Sequence, residues 1–449
     1  MTPELIARYD QRVPRYTSYP TAPHFKPDVT AGTYASWLAE LAPDRPLSLY
    51  LHVPFCAELC LYCGCNTAVT RSYKAVAAYV ACLEHEIDLV ASHLPGRMAV
   101  SHVHWGGGTP TILSPDDLRR ISRRLALAFS IRPEAEIAVE IDPRTITPEH
   151  VEALAASGLN RASLGVQDFD PKVQETIGRV QTFEQTARVA SWLRDAGVNG
   201  LNLDLMYGLP HQSIESVNHS VDLALKLDPD RIALFGYAHV PWMKRHQALL
   251  PETSLPDSVA RVEQREAATE AFIRAGYVQI GLDHFAKPDD PMAVRQKDGR
   301  LHRNFQGYTT DEATALIGFG TSAIGSLPQG YIQNAPTTVA YREAILKDRL
   351  PVVRGVTLSQ DDRLRRAIIE RLMCDFSVDL DEIASSFGAG IGGFAPEITT
   401  IDALARDGLV VRHGLTLTIP DEGRALVRNV CAVFDRYLES GAERHSRAL

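Results

Sequence analysis

Cys56, Cys60, Cys63 and Cys65 crowd into one short stretch, PFCAELCLYCGCNTAV at residues 54–69, in a chain with seven cysteines in all. Packing gives no reason for such density, but metal chemistry does, because thiolates are strong ligands for soft metal centres. Structural zinc sites draw two cysteine pairs from separated segments to close a tetrahedron around one ion. Here a single loop carries all four thiols in the spacing C-x3-C-x2-C-x-C. One loop can wrap three corners of an iron–sulfur cube, and compact cysteine runs hold such clusters. Three ligands for four irons leave one iron open, the counterpart of the vacant position on a catalytic zinc. Cys65, two residues after Cys63, is expected to be a neighbour and not a ligand.

Such a loop has to be held by regular elements, and the hydrophobic pattern places them. Short β-branched and aromatic runs occupy 46–55, 99–108, 136–144, 161–169, 200–210 and 230–241. Amphipathic runs at 73–94, 114–129, 147–158, 182–198 and 213–227 alternate with them, followed by another at 254–277. Ser114–Pro115 and Thr147–Pro148 read as helix starts, and Gly158 and Gly197 as helix ends. Strand then helix, six times over, predicts successive parallel βαβ units, in a barrel or in an open doubly wound sheet, though the spaced G-x-G-x-x-G dinucleotide pattern is absent. The strand runs end in polar or glycine residues: Cys56 onward, Gly106–Thr109, Glu140–Arg144, Gln167–Asp168, Asp204–Gly208 and Ala238–His239. In a parallel barrel those ends converge on one mouth, where chemistry is placed. The glycines of WGGGTP, residues 105–110, let backbone approach a ligand closely beside the cysteine loop.

From about residue 357 the texture changes. Helical patterns at 358–376 and 379–388 precede a hairpin turning at His413–Gly414 and a further helix, a small winged-helix-like unit. It reads as a lid or scaffold, its surface charge being mixed. The expected organisation is an N-terminal extension at 1–45 that could cover substrate, a barrel with its extension at 46–356, and a helical C-terminal domain at 357–449.

A net charge of −9 disfavours nucleic acid and anionic membrane as partners, and no apolar run is long enough to span a bilayer. An odd number of cysteines without an export signal argues for a cytoplasmic protein without a disulfide framework. Cys82, Cys374 and Cys431 are expected to be structural.

C-x3-C-x2-C after a first strand is the pattern of radical S-adenosylmethionine enzymes. Within them the chain resembles the oxygen-independent coproporphyrinogen III oxidase (dehydrogenase) family nearly end to end. The resemblance rests on PRYTSYPTAPHF (14–25), YLHVPFCAELCLYCGCNT (50–67), HWGGGTPT (104–111), EIDPR (140–144), SLGVQDF (163–169), NLDLMYGLP (202–210), YAHVPW (237–242) and GFGTSAIG (318–325). It implies a partial (β/α)6 TIM-like barrel in the α/β class, one 4Fe-4S cluster and two S-adenosylmethionine molecules. Cys56, Cys60 and Cys63 then correspond to the cluster ligands. Tyr50, Gly107, Glu140 and Ile324 correspond to contacts of the cluster-bound S-adenosylmethionine. Tyr62, Gly108, Thr109, Gln167, Arg179, Asp204 and Ala238 correspond to contacts of the second. Tyr62 stands where the family is expected to carry Phe, which keeps the ring and adds a hydroxyl.

The implied reaction converts coproporphyrinogen III to protoporphyrinogen IX, with an electron donor such as flavodoxin or ferredoxin and a monomeric enzyme. Carboxylates such as Glu140 and Asp204 suit ribose hydroxyls, and Arg179 suits a methionyl carboxylate. Read singly, Glu140 could instead pair with Arg144, Arg179 could be a solvated helix-end charge, and Asp204 could cap a turn. A tetracarboxylate substrate needs local cations. Arg15 is the first candidate, with Tyr16 and Tyr19 beside it, and Arg303 a weaker one. His52 could tune the cluster or simply pack. Alternatives are a haem chaperone relative without oxidase turnover, a radical enzyme with another substrate, and a zinc protein.

Overall fold

The computed structural model describes residues 2–438 and 447–448; Met1, 439–446 and Leu449, at the ends of the first and last expected segments, lie outside the described residues. Six strands lie side by side in chain order, all parallel: β1 (Leu47–Val53), β2 (Ala99–Gly107), β3 (Ser130–Ile141), β4 (Arg161–Gln167), β5 (Gly200–Tyr207) and β6 (Arg231–Gly236). Helices α1 (Tyr73–His93), α2 (Pro115–Ala128), α3 (Pro148–Ala156), α4 (Phe183–Asp195) and α5 (Ile214–Lys226) join successive strands, and α6 (Ser258–Arg274) follows the last. The alternation read from the sequence is therefore the fold. In β1 six of the seven residues are buried, as a strand covered on both faces requires.

The local signals act mostly as expected. The Ser114 hydroxyl accepts from the Asp117 N–H at 3.2 Å and caps α2. Gly158 and Gly197 take left-handed backbone, φ 88° and 84°, just past α3 and α4. Thr147 departs from expectation, because its hydroxyl is bonded to His150 Nδ1 at 2.8 Å and caps no backbone N–H.

The stretch where the βα rhythm fades, after α6, adds six strands to the same sheet: β7 (Val278–Ile280), β8 (His284–Ala286), β9 (Ala315–Phe319), β10 (Ile324–Leu327), β11 (Gly330–Asn334) and β12 (Val352–Thr357). β8 pairs antiparallel with β6, and β7 with β8. On the other side β9 runs parallel to β1, with Leu47 opposite Ala315, and β10 to β12 continue antiparallel. The result is an open twelve-stranded sheet, β12-β11-β10-β9-β1-β2-β3-β4-β5-β6-β8-β7. It is a partial barrel and not a closed one.

A buried carboxylate fastens this extension. Glu86 on α1 is 1% exposed and accepts from the Gly320 N–H (2.6 Å), Asn334 Nδ2 (2.7 Å) and the Tyr341 hydroxyl (2.6 Å). Burial pushes its carboxyl up to about 7 against these three donors. Between the ordinary carboxyl value and about 7 the folded protein holds a proton that the unfolded chain has released. That proton's contribution is complete below the unfolded value and disappears as pH rises through about 7. Glu86→Gln, which cannot titrate, should therefore lose most relative to wild type near pH 5 and least near pH 8. Melting temperatures of both proteins across that range, showing a constant gap, would contradict this.

Past β12, α7 (Gln360–Asp375) leads into a three-stranded antiparallel sheet of Ser377–Asp379, Val411–His413 and Thr416–Thr418, the last two turning at Gly414 with φ 63°. The winged-helix-like texture is thus present. The N-terminal extension divides between the two: Ile6, Tyr9, Val13, Tyr16 and Tyr19 share a core with Ile368, Leu372 and Val430, whereas Val29, Tyr34, Trp37, Leu38 and Leu41 join the core of the barrel.

Candidate active site

β1 ends by delivering the chain to the cysteine loop, and both stems of that loop are pinned. Phe55–Cys56 pairs parallel with Ala68–Val69. The Gly108 N–H donates to Val53 O and the Thr109 N–H to Phe55 O, both at 2.8 Å, which lays the end of β2 along the loop. This approach is possible only for glycine: a Cβ on Gly108 would stand 2.5 Å from Phe55 O. One on Gly107, whose φ is 110°, would stand 2.7 Å from the His52 ring.

The ends of β1 to β6 surround a cavity of about 670 Å³. Cys56, Cys60 and Cys63 all face it, and so do Tyr62, Gly107, Gly108, Thr109, Glu140, Gln167, Arg179, Asp204 and Ala238. Tyr50 and Ile324 are not in its lining. Tyr50 sits one step back, its hydroxyl sharing a 3.0 Å hydrogen bond with His52 Nδ1 and its ring stacked 5.9 Å from that of His104. Ile324 packs toward Phe25, Tyr331 and Leu358. Cys65 also borders the cavity, and its N–H donates to Cys63 Sγ at 3.4 Å.

Each of the three thiols receives a donor. The Thr109 hydroxyl points at Cys56 Sγ (3.5 Å), the Cys65 N–H at Cys63 Sγ (3.4 Å), and Arg144 and Arg179 at Cys60 Sγ (3.6 Å each). Such donors favour thiolate over thiol and draw electron density from a bound metal centre. Burial pushes the Cys56 thiol up to about 11, whereas the hydrogen bond from Cys65 brings Cys63 down to about 6. The chemistry of this donor set, three sulfurs from one loop with cationic and N–H donors behind them, fits a cluster with three protein ligands.

The two arginines are held by Asp142, at the end of β3. Arg144 makes contacts of 3.0 and 2.7 Å to it, and Arg179 two of 3.3 Å. Burial alone would raise the Asp142 carboxyl, but the Arg144 hydrogen bonds and the charge of Arg179 prevail and hold it below the usual carboxylate range. Arg179 is buried, also donates to Gly165 O at 2.6 Å, and leaves its Nε without a partner. It is therefore no solvated helix-end charge. Glu140 does not pair with Arg144; it accepts from the Gly107 N–H and lies beside His104 Nε2, both at 3.2 Å. Asp204 caps no turn. It accepts from the Ser163 hydroxyl (2.9 Å) and Asn202 Nδ2 (2.8 Å), and burial pushes its carboxyl up to about 6. Gln167 has φ 70° at the end of β4, strain tolerated where a side chain is aimed at a site.

Sequence reasoning overlooked a clamp outside the loop. Lys244 Nζ donates to Cys65 O (2.7 Å), Gln247 Nε2 to Tyr62 O (2.8 Å), and His246 Nε2 lies 2.8 Å from Cys63 O. The only signal was a polar run after YAHVPW. The role expected for Tyr16 and Tyr19 is not where the structure puts them: Tyr16 bonds Asp435 at 3.1 Å, Tyr19 accepts from the Arg436 N–H at 3.0 Å, and both are buried toward the C-terminal unit. Arg15 does reach the cavity wall. His52 is packed between Tyr50 and Asn66 O, and Cys82, Cys374 and Cys431 are buried.

Residues 50–224 match the Radical SAM superfamily model and residues 358–426 the HemN C-terminal domain model. The chain is 52% identical to the oxygen-independent coproporphyrinogen III oxidase of Bradyrhizobium diazoefficiens, covering 100% of both. The chain belongs to the oxygen-independent coproporphyrinogen III oxidase family. The relative of that name from Paracoccus denitrificans is 45% identical over 99% of this chain and 98% of its own. The solved coproporphyrinogen III oxidase of Escherichia coli, described as a radical SAM enzyme, superposes with a TM-score of 0.90 at 38% identity, covering 95% of this chain and 100% of its own. The family's superfamily segment thus takes in β1 to α5, whose strand ends carry the sulfur-lined cavity, and its C-terminal domain takes in α7 and the small sheet.

Proposed function

We infer that this chain is an oxygen-independent coproporphyrinogen III oxidase, which converts two propionates of coproporphyrinogen III to vinyl groups and yields protoporphyrinogen IX in haem biosynthesis. The observation that carries this reading is the set of three thiols on one loop, in a chain that aligns end to end with oxidases of that name. The enzyme uses a 4Fe-4S cluster and S-adenosylmethionine; when bound, they supply reductive cleavage of the sulfonium and a hydrogen-abstracting radical. In each half-reaction a propionate would give a hydrogen atom from its β-carbon to that radical, then lose carbon dioxide and pass one electron to an external one-electron acceptor.

The chain's own residues bind, orient and shield. Cys56, Cys60 and Cys63 hold the cluster. Tyr50, Gly107, Glu140 and Ile324 serve the S-adenosylmethionine at the cluster, with Tyr50 and Ile324 acting from behind the cavity wall. Tyr62, Gly108, Thr109, Gln167, Arg179, Asp204 and Ala238 serve a second molecule. Glu140 and Asp204 present carboxylate oxygens to hydroxyl groups, and the idle Nε of buried Arg179 supports a role toward an anionic group. A hydrogen-abstracting radical requires that this cavity be shielded from water once its ligands fill it.

The partition 1–45, 46–356 and 357–449, a monomeric state, a cytoplasmic setting and reduction by a flavodoxin- or ferredoxin-like donor belong to this proposal. No helix among the described residues is long and apolar enough to cross a membrane. The test is anaerobic incubation of the cluster-loaded protein with reductant, S-adenosylmethionine and coproporphyrinogen III. Two carbon dioxides per protoporphyrinogen IX are expected. Haem binding without any decarboxylation, in a parallel titration, would instead identify a haem carrier.

A further inference from the structure

Next to the sulfur-lined cavity lies a second chamber of about 420 Å³, and its walls are cationic. Arg12, Arg15, Arg261, Arg265, Arg303 and Arg428 line it, and Arg447 closes one side through an ion pair with Asp10 (3.1 Å). Among the described residues only two carboxylates, Asp257 and Asp283, line the same space, in a chain whose net charge is −9. Both are already engaged: Asp257 caps α6 through the Ala260 N–H (2.8 Å), and Asp283 is bonded to His284 Nδ1 (2.8 Å).

Several of these arginines have few counter-charges. Arg303 is buried with a side-chain exposure of 6%, lies 4.0 Å from Asp283, and leaves Nε and Nη1 without hydrogen-bond partners. Arg428 is buried too, and its contacts are to the carbonyls of Val13, Arg447 and Ala448. Arg15 donates to Gly236 O at 3.1 Å, and Arg265 has no ion-pair partner among the described residues. Burial, with the charge of Arg15 behind it, brings Arg428 down to about 10, and Arg15 is lowered by burial and by Arg303 and Arg261. Guanidinium groups gathered with so few counter-charges are costly unless an anion joins them.

The two chambers share one wall and differ in chemistry. Arg15, Gly236, Tyr237, Ala238, Asp283 and Arg303 belong to the walls of both. The guanidinium groups come from four separate parts of the chain: the N-terminal extension, α6, the segment around Arg303 and the C-terminal unit. A single phosphate would call for convergence on one point, whereas planar forks spread around a chamber suit several separated carboxylates.

We propose that the arginine-lined chamber is a carboxylate site that holds the propionates of coproporphyrinogen not under attack, while the reacting propionate enters the sulfur-lined cavity. This rests on the functional reading above. It gives the N-terminal and C-terminal segments a part in substrate binding, and it gives the enzyme a grip on the tricarboxylate formed after the first decarboxylation, which must turn before the second.

The test uses the full-length, cluster-loaded enzyme with Arg265→Gln, Arg15→Gln and the charge-retaining Arg265→Lys. Affinity is read with coproporphyrin III, the air-stable oxidised form of the substrate, by fluorescence titration, and turnover by chromatography of the porphyrins formed. Each Gln variant should weaken affinity about tenfold or more, raise KM by a similar factor, and release singly decarboxylated tricarboxylate that wild type carries through. Arg265→Lys should recover part of the affinity. Unchanged affinity, KM and product pattern in both Gln variants, with wild type active, would overturn the chamber assignment alone. A wild type that cleaves S-adenosylmethionine yet neither binds coproporphyrin III nor converts the reduced substrate would overturn the functional reading and this proposal with it.

Discussion

Cys56→Ser, Cys60→Ser and Cys63→Ser are each expected to bring iron content and porphyrin turnover to background, whereas Cys65→Ser keeps its iron. All three ligands come from one loop, and a serine hydroxyl is a hard donor that soft iron–sulfur chemistry does not accept in place of thiolate. The loop's stems are held by the Phe55–Cys56 ladder and by the Gly108 and Thr109 N–H groups, so the backbone offers no substitute sulfur if one is lost. Cys65 borders the same cavity but is tied to Cys63 through its own N–H. Iron and sulfide per chain after anaerobic loading, beside the brown absorption, decide the matter. Full iron in any of the first three variants, or its loss in Cys65→Ser, would reassign the ligands.

Asp142→Asn is expected to destabilise the fold by about 3–5 kcal/mol, because it strands two guanidinium groups in a buried site. Asp142 is 9% exposed, and Arg144 and Arg179 both converge on it. Its folded carboxyl is held below the usual range, so its stabilisation is fully present above the unfolded pKa and is lost as pH falls through the folded one. The gap between wild type and variant should therefore stay constant through neutral and mildly acidic pH and close only under strong acid. The same substitution loosens both donors at Cys60 Sγ, so the reduction potential of the loaded cluster should shift as well. Chemical denaturation across pH reads the first effect. A variant as stable as wild type at pH 7 would show that water, and not Asp142, balances the arginines.

The sequence by itself determined the alternation of six strands and six helices, since periods of two and 3.6 residues are written in contiguous stretches. It also exposed the cysteine loop and the glycines of WGGGTP, because their chemistry depends on short spacings along one segment. What faded was the stretch from β7 to β12, whose strands are three to six residues long and whose intervening helices span only seven or eight, so little periodic signal builds up. Tyr16 and Tyr19 lie close to Arg15 in sequence, yet the extension's backbone turns them to the C-terminal core and leaves Arg15, with Thr17, at the cavity. Only the tertiary structure decided that Arg179 meets Asp142 across 37 residues of chain, that Glu140 leaves Arg144 for the Gly107 N–H, and that arginines from 12 to 428 line one chamber. Charge pairing and cavity walls are set by distance in space, and a linear pattern carries that information only when the partners are neighbours in the chain.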